Sequence, residues 1–259
     1  MREIANRFSD QMDMICHYID FITAAIKLTK VPREGLRSGH GFVVAASSFT
    51  DAVQKIGNFT IAAYDGAYLT ACAEYELGIR EFIETYTARV ADKCHDYHHL
   101  PKDMREWYPE GCARLILSIE QDKYRHLTKD TVIGSLAICV RPSKSKRYTL
   151  LGEAFSYNER NFSPPVVDEC FKRLGIDKIW QKLSREVCMQ HELGTRNHMT
   201  TEQRAKSKLS ELIQRRNDII HRGRSYYTPS ESEVRGCATF FKVLVNNLAA
   251  IMEHQIAAI

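Results

Sequence analysis

Glycine and proline are scarce in this chain, which has 13 glycines and 7 prolines among its 259 residues. Because these two residues interrupt helices and mark turns, their scarcity predicts long helices rather than the many short strands of a sandwich. With 44% hydrophobic and 26% charged residues, the composition is globular and excludes collagen-like, mucin-like and mostly disordered classes. The length fits one large domain or two small ones.

Several kinds of motif are also missing. The eight cysteines form no Cys-x-x-Cys pair and have no zinc-site spacing. Charged residues interrupt the N-terminus, so we expect no signal peptide, and no apolar stretch reaches the ~18 residues of a membrane helix. The expectation is a cytoplasmic protein with reduced thiols, no cofactor and no membrane contact. The absence of P-loop, dinucleotide-binding, zincin and nucleophile-elbow motifs argues against those enzyme classes.

Apolar residues at helical spacing predict helices along most of the chain. Residues 1–30 carry a stripe at steps of three and four, namely Ile4, Phe8, Met12, Ile15, Ile19, Ile22 and Ile26. Further helices are expected over 48–93 (with a break near 57–58 or 65–66), 109–124, 163–174, 176–190, 201–222 and from Ser230, where Glu233 completes a capping box. Residues 33–47 are expected to be irregular, as is an insertion around 128–162 in which strand and helix both fit.

We expect one domain over residues 1–259, with its core over roughly 48–257 and the N-terminal helix packed on it.

Positive charge is concentrated near the end of this chain: residues 196–224 hold eight Lys/Arg and three acidic residues. Such a cluster is typical of a phosphate-binding surface, although charge runs more often solvate a helix face. The basic loop 141–147 has the same two interpretations.

Arg216 interrupts the apolar face of the helix predicted over 201–222. Burial of an always-charged guanidinium is costly and requires anionic or polar partners. Glu74 and Glu76, in an otherwise apolar helix, are candidate partners, and we favour Glu76. On a helical wheel Arg216 lies in the middle of a stripe formed by Leu209, Leu212, Ile213, Ile219 and Ile220.

Asn217 and His221 are one turn apart on the same helix flank and can meet side by side. At 100° per residue, however, Arg216 and His221 lie about 140° apart and do not face each other. Either the helix loosens in its last turn, where Gly223 ends it, or a second copy of the helix completes the site. A dimer of this kind brings two arginines and two histidines into one cleft.

These residue types suit RNA cleavage, in which the ribose 2′-OH attacks the adjacent phosphate. In this hypothesis His221 is the general acid or base, Arg216 stabilises charge on the phosphate and Asn217 orients them. No metal is required, and the need for the 2′-OH explains a preference for RNA over DNA. Affinity for the RNA backbone is assigned to Arg215, Arg222, Arg224 and Lys208.

Three segments resemble HEPN domains. Arg216–His221 resembles the R-x4–6-H signature of that superfamily, with a polar residue directly after the arginine. Residues 68–83, which contain Glu76, and the stretches Asn161–Pro165 and Phe171–Ile176 resemble the RiboL-PSP subgroup. The resemblance implies an all-α HEPN bundle with additional helices, a homodimer with the motif helices at its interface, and metal-independent endoribonuclease activity.

HEPN proteins of this kind often act as toxins or antiviral effectors that cut tRNA or mRNA, and an antitoxin or activator protein is a further implied partner. The chain departs from the toxins that commonly carry Tyr two residues after the His, because Gly223 stands there. The resemblance also allows a non-catalytic RNA-binding or scaffold protein. A third hypothesis is a helical dimerisation protein in which Arg216 only neutralises a core Glu.

Two other candidates have more ordinary explanations. The segment 94–99 (Cys-His-Asp-Tyr-His-His) holds metal-ligand residue types, but it lacks a second ligand pair and fits a polar loop better. Trp107, Tyr108 and Tyr97 have the chemistry to stack on bases, yet packing is the commoner role for such aromatics. His40 and His191 belong to no constellation.

Overall fold

A computed structural model describes residues 1–29, 48–52, 59–141, 148–158, 160–222 and 228–259. Within these ranges the protein is a helical bundle without a strand, which confirms the all-α prediction. Residues 48–52 are helical, and 3-10 turns occur at Tyr97–His99 and Asp122–Tyr124. The helices are α1 (Arg2–Thr29), α2 (Phe59–Lys93), α3 (Lys102–Leu117), α4 (Lys129–Val140), α5 (Glu153–Ser156), α6 (Pro164–Arg173), α7 (Ile179–Leu183), α8 (Val187–Glu192), α9 (His198–Arg222) and α10 (Glu231–Ala258).

The three longest helices, α1, α2 and α10, pack against one another. The stripe predicted for α1 is buried up to Ile22 and partly buried at Ile26. Helix α2 runs without interruption through Gly66, so the break considered near 65–66 is wrong. A single glycine inside a helix lowers the stability by only about 1 kcal/mol relative to alanine. The packing of α2 in the bundle offsets this loss. The alternative break at 57–58 and the stretch 33–47 lie outside the described residues.

Helix α10 starts with the predicted capping box. The Ser230 hydroxyl accepts from the Glu233 amide at 3.3 Å, and the Glu233 carboxylate accepts from the Ser230 amide at 2.8 Å. By length and composition α10 also passes as a membrane-spanning helix, but 61% of its apolar window is buried inside the bundle. The core helix of a globular bundle has the same properties, and we interpret α10 in that way.

The helix predicted over 109–124 is present, but both of its predicted ends are wrong. Helix α3 begins at Lys102, contains Pro109 and ends at Leu117. A proline inside a helix leaves the carbonyl four residues earlier without its N–H partner. Here that carbonyl belongs to Arg105, and it accepts a hydrogen bond from the Tyr97 hydroxyl at 3.0 Å. The tyrosine therefore supplies the donor that Pro109 lacks, which explains how the helix tolerates the proline.

Replacing Tyr97 by phenylalanine should therefore destabilise the fold. The substitution keeps the buried ring, whose hydroxyl has its pKa raised to about 12 by burial, but leaves the Arg105 carbonyl without a donor. We expect a loss of about 1–3 kcal/mol in the free energy of unfolding, measured by urea denaturation. Tyr18→Phe, on an exposed ring, is the control and should change stability by less than about 0.5 kcal/mol. Equal stability of the Tyr97 variant and wild type contradicts this role.

Two other regions differ from the sequence-based expectation. The insertion around 128–162 is partly helical, because α4 starts at an N-cap in which the Thr128 hydroxyl accepts from the Thr131 amide at 3.1 Å. The predicted helix 176–190 is two short helices, α7 and α8. Lys178 adopts a left-handed backbone with φ of 54° directly before α7, and Gly175, at φ 76°, ends α6 as predicted. Most of the basic loop, residues 142–147, is outside the described residues.

Candidate functional site

Helix α2 fixes both elements that form the candidate site. The Tyr68 hydroxyl donates to the Leu212 carbonyl of α9 at 3.2 Å. Two turns later the Tyr75 hydroxyl donates to the Phe162 carbonyl at 3.0 Å. Both tyrosines are fully buried, so these bonds form in a low-dielectric environment where an unmade bond is costly. The segment that contains Phe162 is thereby held next to the C-terminal part of α9.

Arg216 is surrounded by amide groups. Its Nη1 donates to the side-chain oxygen of Asn217 at 3.1 Å and to that of Asn161 at 3.3 Å. In this orientation the Asn161 amide nitrogen donates to Asn217 at 3.0 Å. In the opposite orientation it donates to Glu76 Oε1 at 3.3 Å, while Asn161 still accepts from Arg216 at 3.2 Å. Either way, Asn161 holds the guanidinium in place.

Glu76 lies on the same side of the site. Burial raises the pKa of its carboxyl, and the positive charges of Arg216 and Arg80 partly oppose that shift. Glu76, the expected partner of Arg216, thus interacts with it through charge. Among the described residues no ion pair within 4 Å joins the two, and Asn161 lies within hydrogen-bond distance of both. The Arg216 charge is therefore attracted by Glu76 without being bound by it.

Asn161 and Arg80 are site residues that the sequence analysis did not assign. Asn161 belongs to the stretch that resembles the RiboL-PSP subgroup, and that position was the available signal. Arg80 follows Glu76 by one helical turn; its guanidinium lies 5.1 Å from the Phe162 ring centre and donates to the Asn158 side-chain oxygen at 3.1 Å. The one-turn spacing of Glu76 and Arg80 on α2 predicts that the two side chains are close to each other. It does not predict that both lie next to the segment that contains Asn158 and Asn161.

His221 lies in the last turn of α9 and is exposed. The helix is α-helical through Arg222, so the described residues do not show the loosening that would turn His221 toward Arg216. No described residue forms a hydrogen bond or ion pair with His221. The preceding Ile220 is 47% exposed and Ile219 is partly buried. The apolar stripe of α9 therefore leaves the core at its C-terminal end and continues onto the surface.

The remaining predicted RNA-binding residues have different surroundings. Arg215 pairs with Glu211 at 2.6 Å and with Glu233 of α10, so its charge is already compensated within the fold. Lys208 is half-buried, and its charge acts on Glu192 by opposing the rise that burial causes in the pKa of that carboxyl. The side chain of Arg222 and the whole of Arg224 are outside the described residues.

The segment 94–99 has a structural role in its described surroundings. Asp96 accepts from the His98 amide at 2.8 Å and caps the 3-10 turn, while Tyr97 and Tyr108 are buried packing residues. Trp107 is partly buried and donates to the Ala154 carbonyl at 2.8 Å. Within the described ranges no three potential ligands cluster as a metal site. All eight cysteines are free thiols.

Comparison with known proteins agrees with this architecture. A family model described as RiboL-PSP-HEPN matches residues 46–254, which is most of the chain and includes α2, α9 and the segment around Asn161. No curated protein and no solved structure matches the chain significantly. The family match points to an RNA-related function.

Proposed function

Because the chain belongs to the RiboL-PSP-HEPN family, we propose that it is a metal-independent endoribonuclease that acts as a homodimer. The observation that carries this proposal is the state of Arg216. Its guanidinium is half-buried, is held by two asparagines and has no ion pair within 4 Å among the described residues. Arg has five N–H donors, and among the described residues only Nη1 of Arg216 is hydrogen-bonded. The other donors are therefore available to a phosphate.

The proposed reaction needs only the substrate and two side chains. His221 takes the proton of a ribose 2′-OH, and the 2′ oxygen forms a bond to the adjacent phosphorus. The bond from phosphorus to the 5′ oxygen breaks, and a histidine returns a proton to that oxygen. The products are a 2′,3′-cyclic phosphate and a 5′-hydroxyl. Arg216 stabilises the negative charge that accumulates on the phosphate oxygens, as a preorganised donor does in other phosphoryl-group reactions.

A second copy of the chain is part of the proposal, because α9 is helical through Arg222 and its geometry turns His221 about 140° away from Arg216. The exposed Ile220 lies on α9 between them in sequence, and an apolar side chain at this position suits burial against a partner. Packing two α9 ends around a two-fold axis places each histidine near the partner's phosphate site. Asn217 then orients Arg216 rather than His221, as its hydrogen bond indicates.

Substrate and setting follow from the family resemblance. We propose a toxin or antiviral effector that cuts tRNA or mRNA in the cytoplasm, controlled by an antitoxin or activator protein. The eight free thiols suit such a reducing compartment. The alternative is a non-catalytic RNA-binding or scaffold protein. It predicts RNA binding without cleavage, whereas the presence of both Arg216 and His221 favours the enzyme.

Arg216→Lys tests the arginine. Lysine keeps the positive charge but lacks the planar fork that binds a phosphate bidentately and reaches both asparagines. We expect cleavage of an RNA oligonucleotide to fall about 100- to 1000-fold, the range found when one oxyanion donor is removed elsewhere. Arg204→Lys, on the exposed side of the same helix, is the matched control and should keep wild-type activity. Full activity of the Arg216 variant contradicts the proposed role.

A further inference from the structure

A second cluster of arginines surrounds a cavity of about 290 Å³ between α3, α6 and the segment before Asn161. Its size is at the small end of ligand pockets. Three arginines and one glutamate give its wall an excess of positive charge. The lining includes Arg114, Tyr157, Asn158, Arg160, Glu169 and Arg173.

Two side chains that line this cavity are buried and have a donor with no partner among the described residues. Asn158 is 8% exposed and Arg173 is 7% exposed, and within the described ranges neither Asn158 Nδ2 nor Arg173 Nε has a hydrogen-bond partner. The Asn158 oxygen accepts from Arg80 Nη2 at 3.1 Å, which fixes the amide with its nitrogen left over. Buried donors are almost always satisfied, so each of these two needs an explanation, and a ligand in the cavity is one that the positive lining supports.

The charges of the lining residues favour an anion. Arg114 shares its charge with Glu110 at 2.6 Å, and Arg173 pairs with Glu169. Arg160 is exposed, and no described residue forms an ion pair or hydrogen bond with it. A second cavity that Arg173 also lines has four acidic and two basic residues in its wall, so it repels a phosphate. Of these two cavities, the one that Asn158 lines therefore suits an anion.

We propose that this cavity binds a phosphate group of the RNA backbone, adjacent to the phosphate that Arg216 engages. Asn158 precedes Asn161 by three residues, so their Cα atoms are at most about 11 Å apart. One short segment thus carries a contact to each site. The assignment to RNA rests on the proposed function, whereas the phosphate chemistry does not. A free phosphate or nucleotide presents the same group, and the experiment separates these sources.

Two variants test the cavity. Asn158→Asp keeps the shape of the side chain and the acceptor for Arg80, but puts a carboxylate oxygen where the unpartnered donor stands. Arg160→Ala removes an exposed charge with little effect on folding. Arg196→Ala is the matched control, because this exposed arginine lies just before α9. The helix rises by about 27 Å between its first residue, His198, and Arg216. Thermal melting checks that all three proteins are folded.

Two probes are used on the 259-residue chain at fixed ionic strength. Inorganic phosphate is titrated by calorimetry, and a fluorescent RNA oligonucleotide with 2′-deoxy substitutions, which cannot be cleaved, is titrated by anisotropy. We expect Asn158→Asp and Arg160→Ala to weaken binding of both probes at least tenfold, and Arg196→Ala to stay within about threefold.

Each other outcome overturns a defined part of the proposal. If the two variants weaken phosphate binding but not RNA binding, the ligand is a free phosphate or nucleotide and the assignment to RNA is wrong. If neither probe responds to the variants, the cavity is not a phosphate site. If the variants weaken RNA binding while the wild-type protein cleaves no RNA, the subsite stands and the proposed nuclease activity fails.

Discussion

Replacing His221 by alanine should lower the rate of RNA cleavage by about 100- to 10 000-fold, the usual contribution of a general acid or base. The RNA affinity should change by less than about threefold, because a single exposed imidazole adds little to backbone binding. Stability should not change either, since His221 is exposed and no described residue bonds to it. Single-turnover cleavage and anisotropy measure the two effects separately.

His191→Ala is the control for this substitution, because His191 is also exposed and belongs to α8, away from the end of α9 that carries His221. It should cleave RNA at the wild-type rate. A His221 variant that cleaves normally removes the histidine from the mechanism. A variant that has lost binding together with cleavage makes His221 a binding residue, and the general acid or base must then be sought elsewhere.

The second large effect is expected at the dimer interface. Ile220→Asp places a carboxylate on the exposed continuation of the α9 stripe, where we propose that a second copy packs. We expect a folded monomer by size-exclusion chromatography with light scattering, and a loss of cleavage of at least about 100-fold. The fold tolerates the change because Ile220 is 47% exposed in a single chain and contributes little to the core.

Met199→Asp is the matched control at the opposite end of the same helix, where the side chain is 74% exposed. It introduces the same charge and should remain dimeric and active. If wild type is a monomer that cleaves RNA, the two-copy site is wrong. If Ile220→Asp stays dimeric and active, the copies meet through a different surface.

Elements with a strong local signal were predictable from the sequence. The stripe of α1 and the capping box at Ser230 are set by residues within one or two turns, and both occur as predicted. The start of α3 was not predictable, because the donor that compensates for Pro109 is the hydroxyl of Tyr97, which lies outside the helix. The late start of α7 similarly depends on the left-handed backbone at Lys178 directly before it, which no local sequence pattern predicts.

The site shows the same division. The position of Arg216 on an apolar face pointed to a buried partner, and Glu76 is near it. The asparagine between them was not predictable, because Asn161 is 55 residues away along the chain and reaches Arg216 only through the packing of Phe162 on α2. A periodicity argument ranks positions on one helix, but it does not identify side chains that another segment contributes.

The proximity of Glu76 and Arg216 is also what a plain dimerisation protein predicts, with the arginine serving only to neutralise a core acid. The two accounts differ in how RNA affinity depends on salt. A phosphate-binding surface releases counterions and loses affinity steeply as salt rises. If Arg216 has only a structural role, we expect RNA binding to be weak at all salt concentrations.

The chemistry of the RNA ends tests the central claim most directly. Wild-type protein and the His221→Ala variant are incubated with total cellular RNA in the presence of EDTA, and the fragments are analysed for their termini. We expect discrete fragments with 2′,3′-cyclic phosphate and 5′-hydroxyl ends from the wild type and none from the variant. Cleavage that stops in EDTA, leaves 3′-hydroxyl ends or persists in the variant contradicts a metal-independent mechanism built on Arg216 and His221.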